Sequence, residues 1–227
     1  MSRSPLPLDP GECVWEFPSA ARADEHGIVC VGADLEPSTL VAAYRRGLFP
    51  MRLGGRAGPL AWWSPDPRGV LPLTGFHASR SLRRARPRFR VTIDSAFSRV
   101  MRACGDPARP QGWISDEFVD AYTRLHDLGW AHSVEVWQYD QLVGGLYGVR
   151  IANFFAGESM FHSVTNASKV GLWVASELLG LDGVTLFDVQ WRTEHLATLG
   201  VVEISRSEYL HRLAAAVRTA GTARGGR

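Results

Sequence analysis

Two polar side chains stand near the end of an apolar run in the last fifth of the chain. Asp188 and Gln190 are two residues apart in the segment 186–191, whose other members are large and apolar. Residues two apart in a β-strand project from the same face. A carboxylate and an amide on one face are costly to bury unless they pair with each other or line a cleft. We expect them to line a cleft; a solvent-wetted strand end is the alternative.

A second carboxylate, Glu158, lies inside the apolar run 154–161, directly after Gly157. Glycine within a strand indicates close approach of another backbone, and a carboxylate among large apolar residues is typical of a concave binding site. Taken alone, however, Glu158 fits the solvent face of an edge strand better. Its neighbours two residues away, Ala156 and Met160, do not force burial.

Several bulky residues fall in segments that predict loops. They are Met51, Trp62, Trp63 and Trp113. Such residues commonly anchor a loop to the core, and they could equally stack a nucleobase or grip an apolar substrate side chain.

Positive charge is concentrated between Asp66 and Asp94, where the chain has no acidic residue. This stretch contains seven arginines: Arg68, Arg80, Arg83, Arg84, Arg86, Arg88 and Arg90. It suits a phosphate-binding surface, or a solvated helix face whose arginine stems cover apolar surface. Lys169 is the one lysine of the chain and lies in the first turn of a predicted helix, where backbone amides favour an anion. A solvated lysine is the simpler interpretation there.

Composition describes an ordinary globular protein. The 227 residues are 45% hydrophobic and 21% charged, with a formal net charge of +2. These values exclude a disordered or collagen-like chain, and no apolar run approaches the ~20 residues of a membrane span. We expect no secretory signal, no membrane and a cytoplasmic location. Three scattered cysteines and seven dispersed histidines predict no disulfide framework, no metal and no cofactor.

Hydrophobic periodicity and the positions of Gly and Pro turn residues predict an α+β fold. We expect a small N-terminal domain over 1–70, a sheet domain with packed helices over 71–218, and a frayed tail over 219–227. Residues 48–75, rich in Gly and Pro, predict a long loop. Asp94, Ser115, Asn166 and Ser205 are predicted N-caps of four helices. Strands are predicted at 89–93, 133–139, 142–149, 151–161 and 184–190.

A series of short motifs carries a family resemblance over most of the chain. The motifs, in order, are GADL at 32–35, YRRGLFP at 44–50, WWSPDPR at 62–68, SRS at 79–81, GWI at 112–114, HSVEVW at 132–137, GGLYG at 144–148, GESMF at 157–161, NASK at 166–169 and DVQ at 188–190. With them the chain resembles the bacterial leucyl/phenylalanyl-tRNA–protein transferases.

This resemblance implies an enzyme that moves Leu, Phe or Met from aminoacyl-tRNA to proteins beginning with Arg or Lys, marking them for degradation. It implies a small N-terminal domain followed by a GNAT-like (acetyltransferase-like) mixed-sheet domain. By resemblance the active-site trio is Asp188, Gln190 and Glu158, and the substrate pocket contains Met51, Trp113, Leu146, Phe155 and Ser159. The tRNA-binding positions are Arg80, Arg83, Arg84 and Lys169. Met51 stands where the family usually has Trp, which leaves the preference among Leu, Phe and Met open.

The implied reaction is aminolysis of an ester, which needs no ATP. An amide takes no proton near neutral pH, so Gln190 would orient the amine or stabilise the oxyanion, held by Asp188, which would draw positive charge from the amine. Glu158 would bind an α-ammonium or the acceptor's cationic side chain. Three alternatives stay open: a coenzyme-A-dependent acetyltransferase, although 162–170 has no Gly-rich loop; another aminoacyl-tRNA-dependent peptidyl transferase; and a non-enzymatic RNA-binding module. We expect a monomer.

Overall fold

The structure is a computed structural model that describes residues 6–109 and 113–218. Its strands form two sheets. A three-stranded antiparallel sheet has the order β1-β3-β2 and consists of β1 (Ile28–Val31), β2 (Phe49–Arg52) and β3 (Leu60–Trp63). A seven-stranded sheet has the order β10-β4-β9-β8-β7-β6-β5. Its members are β4 (Arg68–Val70), β5 (Arg90–Ile93), β6 (Ala131–Gln138), β7 (Gln141–Ile151), β8 (Phe154–His162), β9 (Leu186–Gln190) and β10 (Val202–Ile204).

Helices cover both faces of the larger sheet. In the described part of the chain they are α1 (Pro37–Arg45), α2 (Arg80–Ala85), α3 (Phe97–Cys104), α4 (Asp116–Asp127), α5 (Ala167–Leu181), α6 (Glu194–Ala197) and α7 (Arg206–Ala216). Helix α5 packs on one face of β6–β8, and α3 packs on the other face with α4 beside it. The expected mixed α+β fold is confirmed.

Strands β8 and β9 form the one parallel pair among the described strands of the larger sheet, and α5 connects them. Their side chains alternate between two apolar cores. Phe154 and Leu186 join the core beneath α3, α4 and α7, whereas Phe155 and Phe187 join the core beneath α5. A strand with both faces covered reads as a nearly continuous apolar run, which explains the composition of 184–190.

The prediction of a long loop over 48–75 is wrong, because β2, β3 and β4 all lie within these residues. Met51 pairs with Ala61, and Trp62 is fully buried with its ring 4.8 Å from that of Phe17 in an edge-to-face contact. Met51, Trp62 and Trp63 are therefore strand residues. The glycines instead concentrate in the turn between β2 and β3, and the aromatic side chains supply the apolar surface that makes short strands stable.

Helix α3 is capped by a residue from another element. Asp94 was the expected cap, but its carboxylate accepts from the Ser133 amide at 2.7 Å and pairs with His132. The fully buried Glu135 of β6 accepts instead from the amides of Ser95 and Ala96, each at 3.3 Å, at the start of α3. A strand carboxylate thus satisfies two amides of the turn that leads into the helix.

The other predicted caps have mixed outcomes. Ser205 accepts from the Glu208 amide at 3.2 Å and caps α7, as expected. Ser115 and Asn166 occupy the N-cap positions of α4 and α5, but neither side chain makes the capping hydrogen bond. Asn166 has a left-handed backbone (φ 73°), which turns its side chain away from that role. The predicted tail, 219–227, lies outside the described residues.

Candidate active site

A cleft opens where the end of β9 meets β2, the start of α6 and the segment that holds Trp113. Its volume is about 170 Å³. The walls are mostly apolar and include one carboxylate and one amide; the lining residues are Phe49, Pro50, Met51, Trp113, Glu158, Val189, Gln190, Trp191, Thr193 and Leu196. Apolar walls with a few convergent polar groups are typical of a small-molecule or substrate site.

Behind this cleft, Asp188 is fully buried in an ion pair with Arg68 of β4. The guanidinium donates from Nε to Oδ1 at 2.9 Å and from Nη2 to Oδ2 at 2.6 Å. The Tyr209 hydroxyl donates to Asp188 Oδ2 at 3.0 Å, and its ring lies 4.3 Å from the guanidinium carbon. Burial alone would lower the pKa of Arg68, but the adjacent Asp188 charge outweighs it. The net shift of the Arg68 pKa is upward, so the guanidinium stays charged.

Gln190 is held in an unusual backbone conformation. Its φ is +60°, in the left-handed region that a residue with a side chain adopts at a cost. Its backbone amide donates to Asp188 Oδ1 at 2.9 Å, which fixes this turn against the buried ion pair. Gly69 lies opposite, and a Cβ there would come within 2.7 Å of the Trp191 carbonyl carbon. The end of β9 can therefore approach β4 closely only because residue 69 is glycine.

Glu158 is partly buried beside Gln190. The Gln190 side-chain Nε2 donates to Glu158 Oε1 at 3.3 Å, and the Tyr122 hydroxyl lies 3.5 Å from Oε2. The Tyr44 and Tyr122 hydroxyls are 2.5 Å apart, deeper in the core. Burial raises the pKa of Glu158 to about 8, with the Asp188 charge adding to the rise and the Tyr44 hydrogen bond opposing it. Glu158 thus gains and loses its charge near neutral pH.

The structure brings some of the predicted site residues together and separates others. Asp188 faces Tyr209, and Glu158 and Gln190 meet at the wall of the cleft. Asp188, however, is not among the described residues that line the cleft, so it does not reach an amine bound there. Its contact with Gln190 runs through the backbone amide rather than through the side chain.

The predicted pocket residues divide in the same way. Met51 and Trp113 line the cleft. Leu146 and Phe155 are 3% exposed and belong to the core beneath α5, on the opposite face of the sheet from Glu158. Ser159 lies beside the buried Cys104 rather than lining the cleft. The structure therefore does not bring these three residues to the cleft.

Of the seven arginines between Asp66 and Asp94, three lie within 4 Å of a carboxylate. Arg68 is buried against Asp188, Arg86 lies 2.7 Å from Glu177, and Arg90 lies 3.7 Å from Asp140. Four others are exposed and make no ion pair within the described residues; these are Arg80, Arg83, Arg84 and Arg88. The first three lie on α2. A smaller patch than the composition suggested remains open to phosphates.

Lys169 lies partly buried in the first turn of α5. It makes no ion pair within residues 6–109 and 113–218. Burial lowers the pKa of His195, and the nearby charges of Lys169 and His162 lower it further. Lys169, His162 and His195 therefore lie near one another beside α6, which borders the cleft.

Sequence reasoning missed the residues that support the site from a distance in the chain. Arg68 was counted in the basic stretch, although it pairs with Asp188, which lies 120 residues later. Tyr122 and Tyr209 belong to no motif, Tyr44 opens the YRRGLFP motif without being assigned to the site, and Trp191 is part of an apolar run. The one usable signal was Arg68 at the end of WWSPDPR, since an arginine directly after a buried aromatic segment suggests a buried partner.

Within the described residues, no group of three or more His, Cys, Asp or Glu side chains could hold a metal ion. No described helix has the length and apolar character needed to cross a membrane. The three cysteines are free thiols, and Cys104 is buried.

The cleft, with one amide, one carboxylate and apolar walls, has the character of a substrate-binding site. Residues 33–66 match the model of the leucyl/phenylalanyl-tRNA protein transferase N-terminal domain, and residues 70–214 match that of the leucyl/phenylalanyl-tRNA protein transferase. The chain belongs to this family of aminoacyltransferases.

Individual relatives agree along most of their length. A leucyl/phenylalanyl-tRNA–protein transferase of Anaeromyxobacter sp. (strain K) is 49% identical over 93% of this chain and 90% of its own. The enzyme of that name from Pseudoalteromonas atlantica is 45% identical over 88% and 87%. A Bacteroides thetaiotaomicron protein of unknown function aligns with a TM-score of 0.40 and 12% identity over 68% of this chain. This chain spans 56% of that protein, and so distant a likeness supports no conclusion.

Proposed function

We propose that this enzyme transfers leucine, phenylalanine or methionine from aminoacyl-tRNA to the α-amine of proteins that begin with Arg or Lys. Family membership supports the reaction class. The observation that carries the proposal to this chain is the Glu158–Gln190 pair at the wall of an apolar cleft. Apolar walls suit the donor side chain, and a carboxylate suits a cationic acceptor.

The proposed chemistry is ester aminolysis. The neutral amine of the acceptor attacks the aminoacyl carbonyl, a C–N bond forms, and the C–O bond to the terminal ribose breaks. The ribose oxygen leaves as a hydroxyl and takes the proton that the amine loses. A free α-amine has a pKa of about 7.7–8, so part of it is already neutral near pH 7. Positioning of the two substrates then supplies much of the rate.

Gln190 is the residue we assign to the attacking amine. Because its Nε2 donates to Glu158, its Oε1 remains to accept a hydrogen bond from an amine N–H. Within the described residues, no group donates a hydrogen bond to Gln190 Oε1. This orientation favours holding the amine over stabilising the oxyanion, which would require a donor.

Asp188 is a positioning residue in this proposal. Its carboxylate holds the Gln190 backbone in the left-handed turn, and Arg68 and Tyr209 in turn hold the carboxylate. A bidentate, buried arginine–carboxylate pair is rigid, so the turn presents the amide in one orientation.

Transfer of label tests the reaction directly. Labelled Leu-, Phe- and Met-tRNA are each incubated with the protein and a peptide that begins with Arg or, as control, Ala. We expect label on the Arg peptide alone, and the ranking of donors reports the effect of Met51. Labelled tRNA that binds but donates to neither peptide contradicts the proposal. Asp188→Asn, assayed alongside, should lower kcat and leave the KM for charged tRNA unchanged.

We also propose the finer organisation expected from the sequence. The three-stranded sheet lies entirely before residue 70, which supports a small N-terminal domain over 1–70 and a catalytic domain over 71–218. The parallel β8–β9 pair connected by α5 supports a GNAT-like sheet. An experimental structure with another strand order would overturn this assignment. A cytoplasmic location, where charged tRNA is made, and a monomeric state belong to the same proposal.

A further inference from the structure

The indole of Trp191 is a large aromatic surface that the proposed reaction does not yet use. Trp191 follows Gln190 directly, lines the same cleft and is 39% exposed. Its ring packs perpendicular to Phe49 at 5.1 Å and at 70° to Trp63 at 6.2 Å. No described ring is stacked parallel on it. Two edge-to-face contacts hold the indole in place and leave part of it open to a ligand.

The charge of the cleft selects the kind of ligand. Among the described lining residues, Glu158 is the one ionisable side chain, and it is an acid. Arg68, behind the cleft, is fully buried and already paired with Asp188. An exposed indole and an acid in one small cavity suit a cation, because the indole face carries negative potential and the acid can ionise when the cation binds.

We propose that Trp191 and Glu158 together bind the cationic side chain of the acceptor's first residue. This inference rests on the proposed function and specifies its acceptor site. The indole contributes a cation–π contact and the carboxylate an ion pair, while Gln190, which donates to Glu158 and precedes Trp191 in the chain, holds the α-amine of the same residue. Arginine suits the site better than lysine, because a planar guanidinium can stack on the ring and still bind the carboxylate.

The ionisation of Glu158 depends on which side chain occupies the cleft. Burial raises the pKa of Glu158 to about 8, so the empty cleft holds a largely neutral acid at pH 7. A guanidinium placed beside it favours the ionised form and lowers that pKa. Binding therefore releases a proton, which a neutral side chain would not cause.

Peptides that differ only in the charge of the first side chain test this site. Arginine and its uncharged isostere citrulline are compared at the first position, by transfer (kcat/KM) and by calorimetric titration of the peptide without tRNA. The full-length wild type should favour Arg in both measurements. Trp191→Leu should reduce the Arg/citrulline ratio about 2- to 30-fold, the usual range of a cation–π contact. Trp191→Phe, which keeps a ring, should restore part of it.

Trp15→Leu is the matched control. Trp15 is 45% exposed, outside the cleft, and its indole donates to Asp34. This variant should keep the wild-type ratio, and thermal melting checks that every variant is folded. Glu158→Gln should reduce the ratio and abolish the proton release.

Two outcomes would overturn the inference. If Trp191→Leu raises the KM for charged tRNA and leaves the Arg/citrulline ratio unchanged, the indole stacks on a base of the tRNA instead. Equal binding of the two peptides by the wild type would also exclude a cation site. If the wild type binds the Arg peptide preferentially through Trp191 but transfers nothing to it, the acceptor site stands and the proposed reaction falls.

Discussion

At the scale of the residue, Glu158 combines two opposing demands. A carboxylate that must bind a cation is most useful when charged, yet burial favours the neutral form of this one, against the hydrogen bonds of Tyr44 and Tyr122. The folded protein retains its proton up to about pH 8, whereas the unfolded chain releases it near the ordinary value of 4.5. The free energy of unfolding must therefore fall as the pH rises from about 4.5 to 8.

Glu158→Gln should remove this pH dependence, because the amide stays neutral at every pH. We expect the unfolding free energy of the variant to fall less than that of the wild type between pH 5.5 and 8.5, by about 1–3 kcal/mol once partial exposure is allowed for. Urea denaturation at the two pH values measures it. Glu203→Gln, at an exposed glutamate of β10, is the control and should follow the wild type. Parallel curves for Glu158→Gln and wild type would mean that Glu158 is ionised throughout.

The sequence predicted the residues of the site better than their partners. The strand period of two predicts one face for Asp188 and Gln190, and this rule needs no tertiary information. That Asp188 would turn inward to Arg68 could not be predicted, since the pair forms only when β4 and β9 lie side by side. The left-handed turn at Gln190 depends on the same pairing. Local pattern gives the direction of a side chain, and distant contacts decide what it meets.

At the scale of the element, the start of α3 shows how a tertiary contact replaces a local cap. Buried Glu135 accepts from the hydroxyls of Thr92 at 2.6 Å and Ser133 at 2.5 Å as well as from the amides of Ser95 and Ala96. One carboxylate thus connects β5, β6 and α3. Asp94, three residues before the first residue of the helix, has the residue type of a cap, which is why the sequence pointed to it.

Glu135→Gln should loosen this junction, since an amide cannot accept at both of its terminal atoms. We expect a loss of about 1.5–3 kcal/mol in the free energy of unfolding, typical of hydrogen bonds to a charged group. Hydrogen exchange distinguishes the contact from Glu135 from a local cap by Asp94. The amides of Ser95 and Ala96 should exchange faster in Glu135→Gln but not in Asp94→Asn. Faster exchange of those two amides in Asp94→Asn alone would restore Asp94 as the cap.

At the scale of the whole molecule, the fold sorts a uniform basic stretch into two kinds of arginine. Arg86 and Arg90 are turned toward acids that arrive from α5 and from the β6–β7 turn. Arg80 and Arg84, in the same stretch, remain exposed and unpaired within the described residues. The sequence shows the absence of acids between Asp66 and Asp94 but not the acids that fold against it. Only the unpaired arginines are free to replace counterions on a nucleic acid.

Salt dependence distinguishes the two kinds of arginine and tests whether α2 contacts tRNA. Each phosphate contact contributes about 0.9 to the slope of log affinity against log salt concentration on a duplex. Arg80→Ala with Arg84→Ala should therefore raise the KM for charged tRNA and flatten this slope by up to about 2, with kcat unchanged. The pair Arg86→Ala with Arg90→Ala removes the same charge from the same stretch, but its slope should stay near the wild-type value. Equal slopes for all three proteins would show that tRNA binds on another surface. Loss of net charge alone would instead flatten the slopes of both double variants alike.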